Sequence, residues 1–253
     1  MDETAKLLPK TKRSRPVRVA DEIKNWVVER DLQQGDKLPS ETEMIELFGV
    51  SKGTVREAMR ILEAQGLIVT RTGPGGGSFV GKVSVDRAKS LLANYFYFQD
   101  LSIADIYQMR KVLEPELAAG LAGKLTEPQL DEMQALAERY PEPAKSSEEE
   151  MEQHVASLAF HSRLSEFSGN PLLRFIISFM ARVLREMTIY RKLYDPPNIE
   201  LWQRGREHQI NLVQALRVGD SDAARQIMAS HMQGAEQLMK KQEAQLKRSF
   251  IGE

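Results

Sequence analysis

The stretch SETEMIELFGVSKGTVREAMRILEAQGLIVTRTGPGGGSFV at 40–80 constrains the fold more than any other part of the chain. It sets two helix starts, two helix stops and a glycine-rich hairpin in a fixed order. Ser40-Glu41-Thr42-Glu43 has the S-x-x-E form of a capping box, in which serine and glutamate satisfy free N–H groups at a helix start. That helix runs to Phe48 and Gly49 closes it. Ser51 caps the next helix, which runs to Gln65 and stops at Gly66. LIVTRTGPGGGSFV reads as a strand, a glycine-rich tip and a second strand. Upstream, PVRVADEIKNWVVERDL (16–32) carries Val19, Ile23, Trp26 and Val27 at helical spacing, and QQGDKLPSE follows as a turn. Three helices followed by a two-stranded wing make a winged helix-turn-helix.

The chemistry of this part lies on its third helix. Val55, Met59 and Leu62 recur at i, i+4, i+7 and form a buried stripe. Lys52, Arg56 and Arg60 recur at i, i+4, i+8 and face elsewhere. A helix with one apolar and one basic face enters the major groove of DNA, where arginine contacts guanine O6 and N7 bidentately. Ser51 and Thr54, at the helix start, are placed to contact phosphate, and Gly53 leaves room for close approach. Gly73, Gly75, Gly76 and Gly77 let the wing tip lie close to the backbone or minor groove.

From about residue 86 the pattern becomes helix after helix without a convincing strand. The segments are 86–98, 102–123, 127–140, 146–168, 171–193, 197–217 and 220–247, broken by YPEPAKSS and YDPPN. The expected organisation is a basic flexible arm at 1–15 and a winged helix-turn-helix at 16–81. A linker with the start of the first bundle helix follows at 82–92, and an all-α antiparallel helical bundle at 93–248. The fold class is therefore mainly α. Within residues 1–18 six bases (Lys6, Lys10, Lys12, Arg13, Arg15, Arg18) face two acids, Asp2 and Glu3. Such an arm either lies along a phosphate backbone or is a solvated tail.

The absence of cysteine among the 253 residues excludes disulfides, thiolate metal sites and cysteine nucleophiles, and fits a reducing compartment. No apolar run approaches the roughly 18 residues of a membrane span, and the N-terminus lacks an apolar signal region. A soluble, cytoplasmic protein with no membrane partner is expected. The net charge of −1 nominates no partner by bulk electrostatics.

In the helical part, His161 sits among Leu158, Phe160 and Leu164. His208 shares a stripe with Leu201, Gly205 and Leu212, and His231 one with Ala224, Ile227, Met228 and Ala235. Three histidines on three inward faces can converge on a divalent cation such as zinc, nickel, iron or manganese, or can each be a satisfied core residue. Arg110 lies within the apolar stripe Ile103, Ile106, Leu113, Leu117. A buried guanidinium needs an anion, either Glu114 one turn on or the carboxylate of a bound acid. Pro115 is expected to bend this helix. The aromatic run Tyr95 to Phe98 reads as packing. The acidic run 147–150 reads as a helix start with acid at its positive end, and LMKKQEAQLKRSF as a solvated helix end.

LPSE, the VS-x-x-TVREA core, L-x-x-x-GL and the glycine wing ending in FV occur in that order, so residues 16–80 resemble the DNA-binding domain of the GntR superfamily. The resemblance implies a transcription regulator that binds a palindromic double-stranded DNA operator as a homodimer. It points to Ser40, Thr42, Ser51, Lys52, Thr54, Arg56, Arg60, Gly75, Gly76 and Gly77 as DNA contacts. Position 42 is often arginine in such proteins, so Thr42 is a departure. Residues 86–240 resemble the FCD ligand-binding bundle of the FadR branch, through R-x-x-L-E at 110–114, F-H-x-x-L at 160–164, S-G-N-P at 168–171, E-H-x-x-I from 207, A-L-x-x-G-D and A-x-x-x-M-x-x-H to His231. This implies His161, His208 and His231 as ligands of a divalent metal. It also implies a small organic acid effector, with Arg110, His154 and Ser157 as candidate contacts, and most often repression relieved by that acid.

The family's fourth ligand is an aspartate four residues before the first histidine, and here that position is Ser157. Three readings follow. Three histidines hold metal with water or effector completing the shell; or the metal is lost and the histidines meet an anionic effector directly; or another group substitutes, with His154 on the same helical face as Ser157 and His161. A metal-dependent helical enzyme fused to a DNA anchor is the alternative function, since three histidines with an open position activate water. No H-E-x-x-H motif supports it.

Overall fold

A computed structural model describes residues 13–82, 84–99 and 101–249, with side chains to residue 244. Lys6, Lys10 and Lys12 of the basic arm lie outside the described residues. The chain divides between Ser90 and Leu91 into two compact units.

In the first unit α1 (Arg15–Glu29), α2 (Glu41–Phe48) and α3 (Lys52–Ala64) precede β1 (Ile68–Arg71) and β2 (Gly77–Val80). The capping box of α2 forms as its sequence requires, with Glu43 N–H donating to Ser40 Oγ and Ser40 N–H to the Glu43 carboxylate. Gly49 ends α2 in the left-handed conformation, where a side chain would be strained. Val19, Ile23, Met44, Val55, Ala58 and Leu62 form the core between the helices. Met59 only borders it, since Ala58 occupies the position facing inward. β1 and β2 pair antiparallel, Ile68 opposite Val80 and Arg71 opposite Gly77. This is the winged helix-turn-helix that the sequence predicts.

In the second unit lie α5 (Ile103–Leu121), α6 (Glu127–Glu138), α7 (Ser147–Glu166), α8 (Pro171–Tyr190), α9 (Ile199–Val218) and α10 (Ser221–Ser249); α4 (Val85–Tyr97) spans the boundary. α10 packs along α5 and α9, and α7 along α8, around one core that includes Ile106, Leu117, Phe160, Leu164, Leu184, Leu212 and Met232. α5 continues through Pro115 as one helix.

Two sequence expectations, the aromatic run and the end of α10, are corrected by the structure. Of the aromatic run Phe96 packs on α8, its ring 5.8 Å from that of Phe179, while Tyr95, Tyr97 and Phe98 are exposed and meet rings of the run itself. The acidic run starts α7 as expected, with Glu148, Glu149 and Glu150 in its first turn; Glu150 is also buried, accepting the Asn198 N–H at 3.2 Å. The end of α10 is not wholly solvated, because Leu238, Met239 and Gln242 are buried. Among the described residues no helix is long and apolar enough to cross a membrane.

Candidate functional site

The first site is the exposed face of α3. Ser51 caps it, accepting the Thr54 N–H, and the two hydroxyls lie 2.9 Å apart. Lys52, Arg56 and Arg60 all project into solvent from one stripe. Arg56 Nε donates to both oxygens of Glu41, at 2.9 and 3.1 Å, and Lys52 Nζ lies 3.5 Å from the same carboxylate. The Arg56 hydrogen bond holds the Glu41 carboxyl below its ordinary range. Exposed pairs of this kind contribute little stability; the effect of Glu41 is to orient the Arg56 guanidinium. Arg60 reaches Glu57 at 3.5 Å. Thr42 is exposed in the first turn of α2, and Ser40 is engaged in its capping box.

The wing tip depends on its glycines. Gly73, Gly75 and Gly77 have φ of +92°, +77° and +138°. A Cβ on Gly76 would lie 2.5 Å from the Arg71 carbonyl oxygen and 2.8 Å from that of Gly73. Sequence reasoning missed two cations beside this tip. The Arg71 guanidinium lies 4.5 Å from the Phe79 ring centroid and Lys37 Nζ 6.0 Å from it. Lys37 is placed there by its antiparallel bridge to Phe79.

The second site is a cavity of about 70 Å³ within the bundle, walled by α5, α6, α7, α9 and α10. Arg110, His154, Ser157, His161 and His231 line it, as do Gln153, Arg206, Trp202 and Gly205, which sequence reasoning did not single out. Arg110 is buried at 1% exposure; its Nε donates to Glu114 Oε1 at 2.5 Å. Both anion readings of Arg110 thus have a place, because its Nη2 is buried with no partner. Burial alone would raise the Glu114 pKa, but Arg110 and then His161 hold that carboxyl well below the carboxylate range. His161 Nδ1 lies 2.6 Å from Glu114 Oε2. An ionised carboxylate only accepts, so Nδ1 donates and the lone pair of Nε2 faces inward, 3.1 Å from His231 Nε2.

Burial pushes the pKa of His161 down, and that of His231 well down, with the His161 and Arg110 neighbours adding to the effect on His231. His154 is pushed down to about 4, by burial and then by Arg110, and lies 3.4 Å from Thr188 Oγ1. The cavity is therefore lined by neutral imidazoles at pH 7.

The three-histidine metal set does not assemble as the sequence implies. His161 and His231 present facing nitrogens, and 3.1 Å is about the separation of two ligands on one ion. His208 lies beside this pair, lining a small space with both, and its Nδ1 donates to the Arg204 carbonyl of its own helix at 2.5 Å. Its ring centroid is 5.3 Å from that of His231. Ser157 Oγ accepts from Gln209 Nε2 at 3.0 Å, so the position of the expected aspartate holds a neutral hydroxyl already in use. Among the described residues no group of three histidine, cysteine or acidic side chains is arranged to hold an ion. The donor set falls short of a metal centre.

Comparison with known proteins resolves what the geometry outlines. Residues 16–80 match the gntR family of bacterial regulatory proteins, and residues 105–234, half of the chain, match the FCD domain. The chain belongs to the GntR family, with an FCD domain as its second half. Relatives of this GntR–FCD protein include the HTH-type transcriptional regulator LutR of Bacillus subtilis, 28% identical over 83% of this chain and 94% of that protein. The HTH-type transcriptional repressor NanR of Citrobacter rodentium is 27% identical over 85% of this chain and 81% of the other. The putative L-lactate dehydrogenase operon regulatory protein of Escherichia coli K12 is 28% identical over 88% and 85%. The fold matches that of Streptococcus agalactiae GntR with a TM-score of 0.60 at 22% identity, over 88% of this chain and 99% of that one. A DNA-binding transcription regulator of the GntR/FCD type is thereby identified, rather than an enzyme.

Proposed function

We propose that this GntR–FCD regulator is a cytoplasmic homodimer that represses transcription from a palindromic operator until a small organic acid enters the bundle cavity. In this reading residues 16–81 read DNA. Lys52, Arg56 and Arg60 enter the major groove, Ser51 and Thr54 meet phosphate at the start of α3, and Thr42 and Ser40 do so at the start of α2. The Gly75–Gly77 tip, with Arg71 and Lys37, follows the backbone beside it. Residues 93–248 sense the acid and pair the subunits. Repression is supported by the likeness to the NanR repressors, and dimerisation by the two-fold symmetry that palindromic half-sites require.

One observation carries the sensing half: Arg110, at 1% exposure, lines the cavity and keeps its buried Nη2 without a partner. A carboxylate there gains a charge-assisted hydrogen bond in a water-poor site. His154, Ser157 and the His161–His231 pair supply further neutral contacts. The acid acts by binding one arrangement of the bundle more tightly than another, and linkage then changes operator affinity by the same free energy. No metal is needed for these contacts.

Titrating the protein–DNA complex with a panel of small organic acids tests the proposal. Release by one acid, lost in Arg110→Lys, is expected. Complexes indifferent to every acid contradict the sensing half.

A further inference from the structure

Three residues that line the same cavity each keep a buried polar atom without a partner, and each comes from a different helix. Arg110 Nη2 comes from α5, Gln153 Oε1 from α7 and Arg206 Nε from α9. A buried polar group left unpaired is expensive, so each points to a partner that the protein itself does not supply. The first and third are cationic donors. The second is an acceptor, and its sense is fixed: Gln153 Nε2 donates to the Glu142 carbonyl at 3.1 Å, so a flipped amide would lose that bond.

We infer that the cavity is built for a short carboxylic acid that also carries a hydrogen-bond donor, a hydroxyl or an amine. This rests on the acid-sensing reading above and narrows it. The carboxylate meets Arg110 and Arg206; the donor meets Gln153 Oε1. A plain alkyl acid satisfies both guanidinium groups and strands the glutamine oxygen. The volume of about 70 Å³ has room for a small acid. Leu136, Ala137, Leu158 and Leu201 offer an apolar wall to the remaining carbons. Glu150 also lines the cavity, with its carboxyl raised by burial and one oxygen taken by the Asn198 N–H.

Propionate, lactate and alanine share one skeleton, to which lactate adds a neutral hydroxyl and alanine a charged ammonium, so they form the test. Each is titrated calorimetrically into the full chain and into Gln153→Met. Trp202 lines the cavity and gives a second readout by fluorescence in the Trp26→Phe background. Lactate or alanine is expected to bind about tenfold tighter than propionate, with the gap closing in Gln153→Met. Whichever of the two leads identifies the donor as hydroxyl or amine. Propionate binding as tightly as both, or a gap that persists in Gln153→Met, overturns the inference and leaves the acid-sensing reading standing. No heat and no fluorescence change with any of the three overturns the inference as well, and the acid panel on the protein–DNA complex then decides the sensing reading by itself.

Discussion

Glu114 bridges Arg110 and His161, one carboxylate oxygen 2.5 Å from the arginine Nε and the other 2.6 Å from the histidine Nδ1. The arginine and glutamate are one helical turn apart on α5; the histidine comes from α7. The bridge neutralises a buried cation, selects the His161 tautomer and aims its Nε2 at His231. It couples the charge that would grip an acid to the imidazole pair beside it.

Removing one member of this bridge leaves a buried charge unmatched. Glu114→Ala is expected to cost about 3–5 kcal/mol of folding stability, whereas Arg110→Met with Glu114→Leu together costs far less. Urea unfolding of both variants checks this; equal losses would show that the bridge is not the source of the cost.

The position of Ser157 sets metal affinity. Ser157→Asp restores a carboxylate next to His161 and His231 and is expected to raise zinc or nickel affinity at least about tenfold over wild type. Elemental analysis and calorimetry of chelator-stripped protein measure it. Wild-type protein that retains one tightly held ion per chain, lost in His208→Ala, would contradict the incomplete donor set described above.

Acid lability follows from the buried histidines. Their folded pKa values lie below the unfolded value of about 6.5, with His154 at about 4. Between those values the unfolded chain binds the extra protons, so stability rises with pH across that window and is lost as pH falls. The melting temperature is expected to drop from pH 7 to pH 5, and less steeply in His154→Gln. A melting temperature that is flat or rising toward acid would refute this.

Much of this was legible beforehand because caps and breakers are local. Ser40, Ser51, Ser102, Asn170 and Gly219 stop or start helices close to where their neighbours in sequence demand. Arg110 in an apolar stripe announced a buried charge. Periodicity gives the face of one helix, however, and not which residues of different helices meet. Hence Gln153, Arg206 and Trp202 escaped notice. So did the hydrogen bond of His208 Nδ1 to the backbone of its own helix. The exposure of Tyr95, Tyr97 and Phe98 was missed because aromatic content alone does not say which ring finds a partner.

The wing and recognition helix give separable effects on DNA. Gly76→Ala forces a Cβ against two carbonyl oxygens and is expected to weaken DNA binding at every sequence while the helices stay folded. Glu41→Gln frees Arg56 from its orienting carboxylate and is expected to relax sequence preference more than total affinity. Gel shift on matched and mismatched duplexes distinguishes the two; identical profiles for both variants would contradict the assignment.

The most direct measurement is sequencing of the DNA that the purified full chain retains from random duplexes, in parallel with Arg56→Ala. One enriched palindromic motif is expected for wild type. For Arg56→Ala a loss of about 1–3 kcal/mol on that motif is expected, with preference relaxed at the matching base of each half-site. Wild type that enriches no motif, or an Arg56→Ala variant that enriches the same motif with equal strength, would contradict this expectation.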